Sequence, residues 1–375
     1  MTAKKKTLCI LTDNFIVGGV EMVVLQAISL LSDSYDITVF VLTGVIDEDL
    51  FCKIPEDVKI IKGTFSWSVK NELKVQMPFI GPAYFRKAID NYYDSLIVVK
   101  PACRSAGLAH IARINIYWNH ITHDVLYVDK ELSLPKKLNK LRLKYVYSRF
   151  NEIWHVNDTL KRLYEEVFDL KNCYTIPNPI DVKKIENLSN GPMQEASMIN
   201  DKHILISVGR LSKEKGFDRV IKALADCSCK KNWRYILIGD GNEKNNLKKL
   251  VDDLELTDQV IFMGQRTNLY PYIKQSDVLI CPSIYESFGL VLLEAMVLRT
   301  PIIATRTIGA EYVTKNGKYG MVIDNTDESI KKVLIDILVE SKNLTIELNE
   351  AYKWAKQFDV CQFRKRLKER LNCLD

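Results

Sequence analysis

The chain has 375 residues, 47% of them apolar and 27% charged, a composition typical of globular proteins and not of disordered or fibrous chains. Its length predicts two or three domains. The net charge of +6 is divided evenly between the two halves of the chain, so charge gives no indication of nucleic-acid binding.

Nine cysteines stand singly, without any Cys-x-x-Cys pair. An odd number of isolated cysteines predicts reduced thiols and a cytoplasmic location. The first apolar run ends at Asp13 after six residues, which is too short for the apolar region of a signal peptide. No run of about eighteen apolar residues predicts a membrane span.

Short apolar runs alternate with helical patterns along the first half of the chain. The first predicted strand is Leu8–Thr12, and a predicted helix follows at Glu21–Leu31. Continuous apolar strands separated by helices are typical of a parallel sheet covered on both faces. The later strands predicted in this half are Ile37–Leu42, Ser95–Val99, Ile114–Trp118 and Ile153–Val156.

The turn after the first strand contains Gly18 and Gly19, which would let a ligand approach the backbone closely. It lacks the complete Gly-x-Gly-x-x-Gly of dinucleotide-binding proteins. Asp47 and Asp49 form an Asp-x-Asp in a predicted polar loop after the second strand. One short acidic run is common in loops, so no metal site is predicted.

Two of the five histidines, His120 and His123, follow the predicted strand Ile114–Trp118. His120 stands directly at the strand end and is the preferred functional candidate. His123, beside Asp124, is the alternative. The other histidines lie on or beside apolar patterns, which favours core or surface roles.

The segment Leu134–Arg149 carries six basic residues and no acidic one. Its apolar residues recur at the spacing of one helical face. A basic amphipathic helix of this kind could bind an anionic membrane, or it could be a solvated helix of the first domain. The residues on that apolar face are Leu134, Leu138, Leu141 and Tyr145.

The second half repeats the alternation of strands and helices. Two doubly wound parallel-sheet domains facing a cleft are therefore predicted. The predicted boundary lies near Glu186–Asp201, where Asn, Ser, Gly and Pro cluster without periodicity. Strands are predicted at 204–208, 234–238, 259–263, 277–281, 301–305 and 320–323, with helices at Asn242–Leu254 and Leu290–Leu298.

Three predicted strands of the second half end in glycine, at Gly209, Gly241 and Gly264. The first of these loops continues with Arg210 and Lys215. A planar guanidinium and a compact ammonium in one loop suit a diphosphate.

The segment Glu286-Ser-Phe-Gly-Leu-Val-Leu-Leu-Glu294 follows another predicted strand. Backbone N–H groups around Phe288, Gly289 and Leu290 would stand at a helix N-terminus, which attracts anions. Glu286 would lie in the loop and Glu294 about two turns into the helix.

Together these elements resemble the retaining glycosyltransferases of the GT-B fold, family four, bacterial polysaccharide type. That family carries a Glu, seven residues and a second Glu, as Glu286 and Glu294 stand here. It also has a Gly-Arg and then a Lys-Gly after a strand, matching Gly209, Arg210 and Lys215. The resemblance covers residues 203–311 most closely.

The resemblance implies a role for each of these residues. Arg210 and Lys215 would bind the donor diphosphate, Glu286 the donor sugar, Glu294 the ribose, and His120 the transferred sugar. Nucleotide-binding positions would be Gly18, Gly19, Gly209, Gly241, Gly264, Phe288, Gly289, Leu290 and Glu294.

It further implies an acceptor-side domain at 1–186, a linker at 187–200 and a nucleotide-sugar domain at 201–350. A last helix at 351–375 would cross back onto the first domain. The expected activity transfers a hexose or N-acetylhexosamine from a nucleotide sugar, expected to be UDP-linked, without metal or cofactor. The acceptor would be a saccharide or a lipid-linked molecule. The expected location is cytoplasmic, and the basic segment Leu134–Arg149 leaves open a peripheral position on the inner face of the membrane.

Two other functions are weighed against this one. A glycoside hydrolase would need its carboxylates closer together than the roughly 12 Å that eight helical residues span. A non-catalytic subunit supporting a partner transferase is the remaining alternative. The presence of His120, Arg210, Lys215 and both glutamates argues against it.

Overall fold

A computed structural model describes residues 5–16, 18–66, 68, 74–77, 79–120, 133–193, 203–226, 232–339, 344 and 346–374. The chain forms two compact units. The first comprises Met1–Asn178 and Cys361–Asp375, and the second comprises Pro179–Val360.

The first unit contains a seven-stranded parallel sheet with the strand order β3-β2-β1-β4-β5-β6-β7. The chain winds outward in both directions from β1 and β4. A ligand crevice forms where a doubly wound sheet reverses in this way, at the carboxyl ends of the strands. The strands are β1 Lys6–Thr12, β2 Tyr35–Val41, β3 Lys59–Lys62, β4 Tyr93–Val98, β5 Ala112–Asn119, β6 Glu152–His155 and β7 Cys173–Thr175.

The second unit contains a six-stranded parallel sheet with the order β10-β9-β8-β11-β12-β13. Its order reverses between β8 and β11, so its expected ligand crevice lies at the carboxyl ends of these two strands. The strands are β8 His203–Val208, β9 Trp233–Ile238, β10 Val260–Gly264, β11 Val278–Cys281, β12 Ile302–Thr305 and β13 Met321–Ile323.

Helices connect the strands of both sheets, as parallel pairing requires. None of the helices within the described ranges is both long enough and apolar enough to cross a membrane. They include α1 Gly19–Leu31, α2 Glu48–Phe51, α3 Ile80–Ala88, α4 Leu134–Tyr147, α5 Asp158–Phe168, α6 Val182–Leu188, α7 Phe217–Ala225, α8 Lys244–Asp253, α9 Tyr270–Lys274, α10 Leu290–Leu298, α11 Ile308–Val313, α12 Asp327–Leu338, α13 Leu348–Ala355 and α14 Val360–Cys373, besides 3-10 turns at Pro101–Leu108 and Lys213–Lys215.

Most strands could be predicted from the sequence because their side chains are apolar and buried. Four consecutive side chains of β1, from Leu8 to Leu11, are at most 1% exposed, because helices cover both faces of the sheet. The predicted fold class of two doubly wound parallel-sheet domains is confirmed. Two strands, β3 and β7, were not predicted, and both are edge strands, of four and three residues.

The division between the units lies at 178/179, eight residues before the predicted end of the first domain. The reason is α6, which packs on α9 and α10 of the second unit. The Asn268 side chain also donates to the Leu188 carbonyl at 2.8 Å. Residues 194–200 of the predicted linker lie outside the described residues.

The last helix, α14, packs within the first unit. Its Phe363 is fully buried and stacks on Trp118 of β5, with 5.9 Å between the ring centroids. Arg370 pairs with the buried carboxylate of Glu152 on β6. The last helix therefore packs on the part of the first sheet formed by β5 and β6.

Candidate functional site

The three glycine loops of the second unit lie side by side at the carboxyl ends of β8, β9 and β10. The Gly209 amide donates to the last carbonyl of β9 at 3.0 Å, and the Gly239 amide donates to the Gly264 carbonyl at 2.9 Å. A Cβ atom at Gly239 would lie 1.9 Å from the Gly209 carbonyl oxygen, so only glycine allows this approach. Gly241 is also closely packed, because an added Cβ there would lie 2.3 Å from the Leu211 carbonyl oxygen.

Lys215 and Glu286 meet across the reversal point of the second sheet. Lys215 comes from the loop after β8 and Glu286 from the loop after β11, and 2.6 Å separates Nζ from Oε2. Burial alone would lower the pKa of Lys215, but the charge and hydrogen bond of Glu286 raise it overall. Lys215 is therefore a fixed positive charge at the carboxyl ends of the strands, and the structure brings together the two residues that were predicted to lie near the donor.

Arg210 lies in the same loop as Lys215, but it does not pair with Glu286. Its side chain is exposed, and it makes no ion pair with any residue in the described parts of the chain. A guanidinium in this position keeps its donors available to a ligand.

The loop that carries Glu286 is fixed by its neighbours. The Ile284 amide donates to the Glu214 carbonyl at 2.8 Å, and the Gly309 amide donates to the Glu286 carbonyl at 2.9 Å. A Cβ at Gly309 would lie 2.5 Å from the Phe288 nitrogen, so α11 can approach the loop only through a glycine. Gly309 was missed in the sequence because its only signal is one glycine at the start of a short helix.

Gly289 is the N-cap residue of α10 and has a φ of +87°. This left-handed conformation favours glycine. No side chain caps the helix, so its N-terminal amides are left for a ligand or solvent. The Phe288 side chain is 3% exposed and packs on Tyr312 and Phe358, so only its backbone can take the predicted binding role.

Glu294 lies in the second turn of α10, as predicted. Burial raises the pKa of its carboxyl to about 7, with the hydrogen bond to Tyr270 acting in the opposite direction. Burial, followed by the Glu294 charge, also raises the pKa of Tyr270. Tyr270, the first residue of α9, was missed because a single aromatic residue after a loop has no distinctive spacing.

His120 follows β5 in the first unit and is 5% exposed. Within the described residues neither ring nitrogen makes a hydrogen bond of good geometry, although the Asn178 side chain lies near enough to interact with the ring. Burial, helped by the Lys100 charge and opposed by the Asn178 side chain, lowers the pKa of His120 to about 3, so the imidazole is neutral. The alternative candidate His123, with Asp124, lies outside the described residues.

The loop after β1 and the loop after β4 contribute charged residues at the reversal point of the first sheet. Lys100 Nζ lies 2.6 Å from Oε1 of Glu21, the third residue of α1. The other oxygen of Glu21 folds over Gly18, where an added Cβ would lie 2.5 Å away. Asp13 is electrostatically coupled to both. Asp13 and Lys100 were missed, although each stands just after a predicted strand, which was a usable signal.

Asp47 serves as a helix cap. It is the N-cap residue of α2, and its carboxylate accepts a hydrogen bond from the Asp49 amide at 2.9 Å. Within the described ranges, no group of three or more His, Cys, Asp or Glu side chains is arranged to hold a metal.

The predicted basic helix forms as α4, but its Leu and Tyr face is not buried. The helix packs through Leu143, Val146 and Tyr147 instead. The exposed apolar residues are Leu134 at 70%, Leu138 at 59%, Leu141 at 64% and Tyr145 at 43%.

Comparison with known proteins shows which families and proteins this chain resembles. Residues 193–355 match the family model described as glycosyl transferases group 1. An uncharacterized glycosyltransferase of Methanocaldococcus jannaschii is 26% identical over 60% of this chain and 64% of its own length. A lipopolysaccharide core biosynthesis glycosyltransferase of Rhizobium meliloti is 32% identical over 40% of this chain and 43% of its own. The chain thus aligns with less than two thirds of these two relatives.

Solved structures match over nearly the whole chain. HepE of Anabaena, in complex with UDP and glucose, superposes with a TM-score of 0.74 at 18% identity, covering 98% of this chain and 100% of that one. Sucrose-phosphate synthase of Thermosynechococcus elongatus gives a TM-score of 0.75 at 17% identity, with 99% of each chain covered. At these identities the likeness establishes the fold, which is GT-B. Residues 193–355 therefore resemble the glycosyl transferases group 1 family, and the chain as a whole has the GT-B fold.

Proposed function

We propose that the chain is a retaining glycosyltransferase that transfers a hexose or N-acetylhexosamine from a UDP-sugar. The acceptor is a saccharide or lipid-linked molecule of surface polysaccharide or glycoconjugate synthesis. The single observation that carries the proposal is the Lys215–Glu286 pair, 2.6 Å apart at the reversal point of the second sheet. The complex of HepE with UDP and glucose supports the donor class, and the Rhizobium relative, named for lipopolysaccharide core biosynthesis, supports the product class.

In this proposal the second unit binds the donor. Arg210 and Lys215 bind the diphosphate, and the N-terminal amides of α10 beside Gly289 add hydrogen bonds to it. Glu286 accepts hydrogen bonds from sugar hydroxyls, and Glu294 accepts them from the ribose. Fixed donors directed at developing negative charge are usually the largest contribution to catalysis of this type.

Transfer would break the bond between the anomeric carbon and the phosphate oxygen while the acceptor oxygen attacks from the same face. The acceptor proton would pass to the departing phosphate oxygen, so charge and atoms balance. Lys215 and Arg210 stabilise the diphosphate that is released. His120, neutral at physiological pH because burial lowers its pKa to about 3, would contact the transferred sugar as a hydrogen-bonding group and not as a charge.

A panel of nucleotide sugars tests the donor assignment. Ligands that bind the native state raise the melting temperature by mass action, so one UDP-sugar should stand out from GDP- and ADP-sugars. With that donor, NMR of the product should show the anomeric configuration of the donor retained. Inversion at the anomeric carbon would contradict the retaining mechanism. A rise in melting temperature produced only by a GDP-sugar would contradict the UDP-linked donor.

We expect transfer to be independent of divalent metal. Arg210 and Lys215 supply the positive charge at the diphosphate that a metal would otherwise supply, and Asp47 is already engaged as a helix cap. Activity after exhaustive EDTA treatment should stay within about twofold of the untreated enzyme. Complete loss of activity that manganese or magnesium restores would defeat this prediction.

Peripheral membrane binding through α4 is expected from its exposed surface. Lys136, Lys137 and Lys140 border the exposed apolar face, whereas Lys144 pairs with Asp169 at 3.0 Å. Each basic residue near an anionic membrane contributes about 1 kcal/mol. Reversing Lys136, Lys137 and Lys140 to Glu should therefore weaken binding to anionic vesicles by at least 100-fold.

Liposome co-sedimentation at low salt measures this difference. A variant with Lys248, Lys249 and Lys332 changed to Glu has the same net charge but leaves α4 intact, and it should pellet like the parent. High salt should release the parent, because the Debye length falls from about 10 Å at 0.1 M to about 3 Å at 1 M. If the parent fails to pellet at low salt, α4 is a solvated helix.

A further inference from the structure

Arg219 is a buried charge in the second unit that the proposed mechanism does not use. It lies in the first turn of α7, the helix that follows the Lys215 loop, and its side chain is 8% exposed. Arginine is almost never buried this deeply unless its donors are paired. Its neighbours Val220 and Ile221 are buried apolar residues, so the pattern of the helix does not require a charge here. The partners of the guanidinium therefore indicate why it is present.

Three groups accept hydrogen bonds from the Arg219 guanidinium. Nε donates to Oδ1 of Asp327 at 2.6 Å, and Nη1 donates to Oδ1 of Asn325 at 2.7 Å and to the Pro282 carbonyl at 3.2 Å. Pro282 directly follows β11, whereas Asn325 and Asp327 follow β13. The planar fork of an arginine can hold several acceptors at once. Arg219 thus joins α7 to the chain segments that follow two other strands of the sheet.

Asn325 continues this network to the loop that carries Glu286. Its Nδ2 donates to the Ile284 carbonyl at 3.1 Å and lies 3.4 Å from the Ser283 carbonyl oxygen. A carboxamide has one oxygen acceptor and one amino donor group. Because Arg219 holds the oxygen, the amino group is directed at the loop. Ile284 stands two residues before Glu286, so these hydrogen bonds fix the start of that loop.

The Lys215 loop and the Glu286 loop also approach each other at the Pro282 carbonyl. Gly216 has a φ of +65°, and a Cβ there would lie 2.4 Å from the Pro282 oxygen. This is the same oxygen that accepts from Arg219. The side chain of Arg219 therefore secures the point at which the backbones of the two loops meet, next to the 2.6 Å pair of Lys215 and Glu286.

We infer that Arg219 is a positioning residue, which acts together with Asn325 to hold the Glu286 carboxylate in place opposite Lys215. A misplacement of about 1 Å in a reacting site can lower the rate about 100-fold, so an anchored loop has a direct effect on turnover. Stability is a weaker reason for the network, because the Asp327 side chain is 66% exposed and solvent screens its attraction to Arg219. The inference rests on the proposed function, because it concerns how the Glu286 of that activity is positioned.

Replacing Arg219 by Met tests the role in turnover. We expect kcat to fall by about tenfold or more, while the dissociation constant for UDP changes by less than about threefold, the pattern of a residue that acts on the reacting sugar. Lys222→Met is the matched control, since Lys222 lies in the same helix, loses the same charge and pairs with Asp218 at the surface at 2.8 Å. The control should retain the kcat of the parent. Parent-like kcat in Arg219→Met overturns the inference.

Asn325→Asp separates positioning from stability. Aspartate keeps an oxygen that accepts from Arg219, but it has no amino group to donate to the Ile284 carbonyl. The melting temperature should therefore stay close to that of the parent, whereas kcat should fall by about tenfold or more. This variant also decides the matter if Arg219→Met does not fold. A folded Asn325→Asp with the kcat of the parent contradicts the inference.

A double variant shows whether Arg219 acts through Glu286. Once Glu286 is changed to Gln, the further change Arg219→Met should alter kcat by less than about twofold, because two residues in one network are not additive. If the two losses multiply, Arg219 acts independently of Glu286 and the inference is wrong.

Crystal structures of the parent, Arg219→Met and Asn325→Asp give a measurement that does not depend on turnover. The distance from Lys215 Nζ to Glu286 Oε2 should stay below about 3 Å in the parent and exceed about 4 Å, the limit of an ion pair, in both variants. An unchanged distance in the variants overturns the inference even if kcat falls. A parent that transfers no sugar counts against the proposed function, and the distances still decide the inference.

Discussion

Replacing Lys215 by Ala is expected to lower kcat by about 30- to 1000-fold. The physical reason is that Lys215 is a fixed charge at the carboxyl ends of β8 and β11, where the released diphosphate would develop negative charge. Removing one preorganised donor to such charge costs about 2–4 kcal/mol. Initial-rate measurement of UDP release at saturating donor reads this loss directly.

Arg210→Ala should produce a loss of the same order, for the same reason. Arg210→Lys should recover only part of it, because an ammonium cannot form the two parallel hydrogen bonds of a guanidinium. The two variants can be compared in one assay because Arg210 and Lys215 lie in one loop. Since Arg210 is exposed, its replacement should leave the melting temperature almost unchanged.

Lys213 is the matched control for both variants. It lies in the same 3-10 turn as Lys215, carries the same charge and is exposed. Lys213→Ala should retain turnover within about twofold of the parent. Near-normal turnover in both Arg210→Ala and Lys215→Ala would remove the diphosphate assignment, and an equal loss in Lys213→Ala would show that net charge, not position, is responsible.

The fold could be predicted well because its strands are buried on both faces. Every residue of β11, for example, is buried, so the strand appears in the sequence as a continuous apolar run. β3 has two half-buried isoleucines between two exposed lysines, which is too little apolar sequence to distinguish a strand from a turn. Edge strands of this kind are recognised only once the neighbouring strand is known.

Spacing along the sequence was informative only for candidate-site residues that lie close together in the chain. Glu286 and Glu294 are eight positions apart and share one loop and helix, so their spacing was informative. Lys100 and Glu21 are 79 positions apart and meet only because β1 and β4 are neighbours in the sheet. Strand order is a property of the whole fold, and single-residue patterns carry no information about it.

The exposed face of α4 shows a second limit of prediction from the sequence. Helical periodicity correctly identified a Leu and Tyr face, and such a face ordinarily packs on the core. In the structure the helix buries Leu143, Val146 and Tyr147 instead. Periodicity thus identifies an apolar face but not which neighbour covers it.

Replacing Glu294 by Gln is expected to weaken UDP binding by roughly 10- to 100-fold, the range for losing a hydrogen bond to a charged group. The turnover at saturating donor should change little, because a ribose contact is present in both ground and transition states. Glu286→Gln should show the converse, a large fall in kcat with a smaller change in UDP affinity. Isothermal titration of UDP and steady-state kinetics separate the two effects, and the two glutamate variants serve as controls for each other.

The raised pKa of Glu294 makes its own contribution to the pH dependence of stability. Its carboxyl has a pKa of about 7 in the folded chain against 4.5 ordinarily. At Glu294 the folded state therefore holds a proton that the unfolded chain has already lost between these values, so the contribution of this group to stability falls as pH rises from 4.5 to 7 and is level above it. Burial lowers the pKa of His120 and His155 to about 3, so these two groups contribute in the opposite direction below their ordinary pKa. The Glu294 contribution is therefore measured as the difference in stability between the parent and Glu294→Gln. Between pH 4.5 and pH 7 the contribution of Glu294 to the free energy of unfolding changes by about 3 kcal/mol, because each unit of pKa shift corresponds to 1.36 kcal/mol.

UDP affinity should depend on the same protonation of Glu294, but it should rise with pH where the contribution of Glu294 to stability falls. If ribose hydroxyls donate to the Glu294 carboxylate, binding below pH 7 must expel the proton, so UDP affinity rises by up to tenfold per pH unit until about pH 7. Glu294→Gln should lack this rise, and the ratio of the two affinities cancels the titration of UDP itself. If the ratio is constant from pH 5.5 to 8, or if Glu294→Gln binds UDP as tightly as the parent, Glu294 does not contact the ribose.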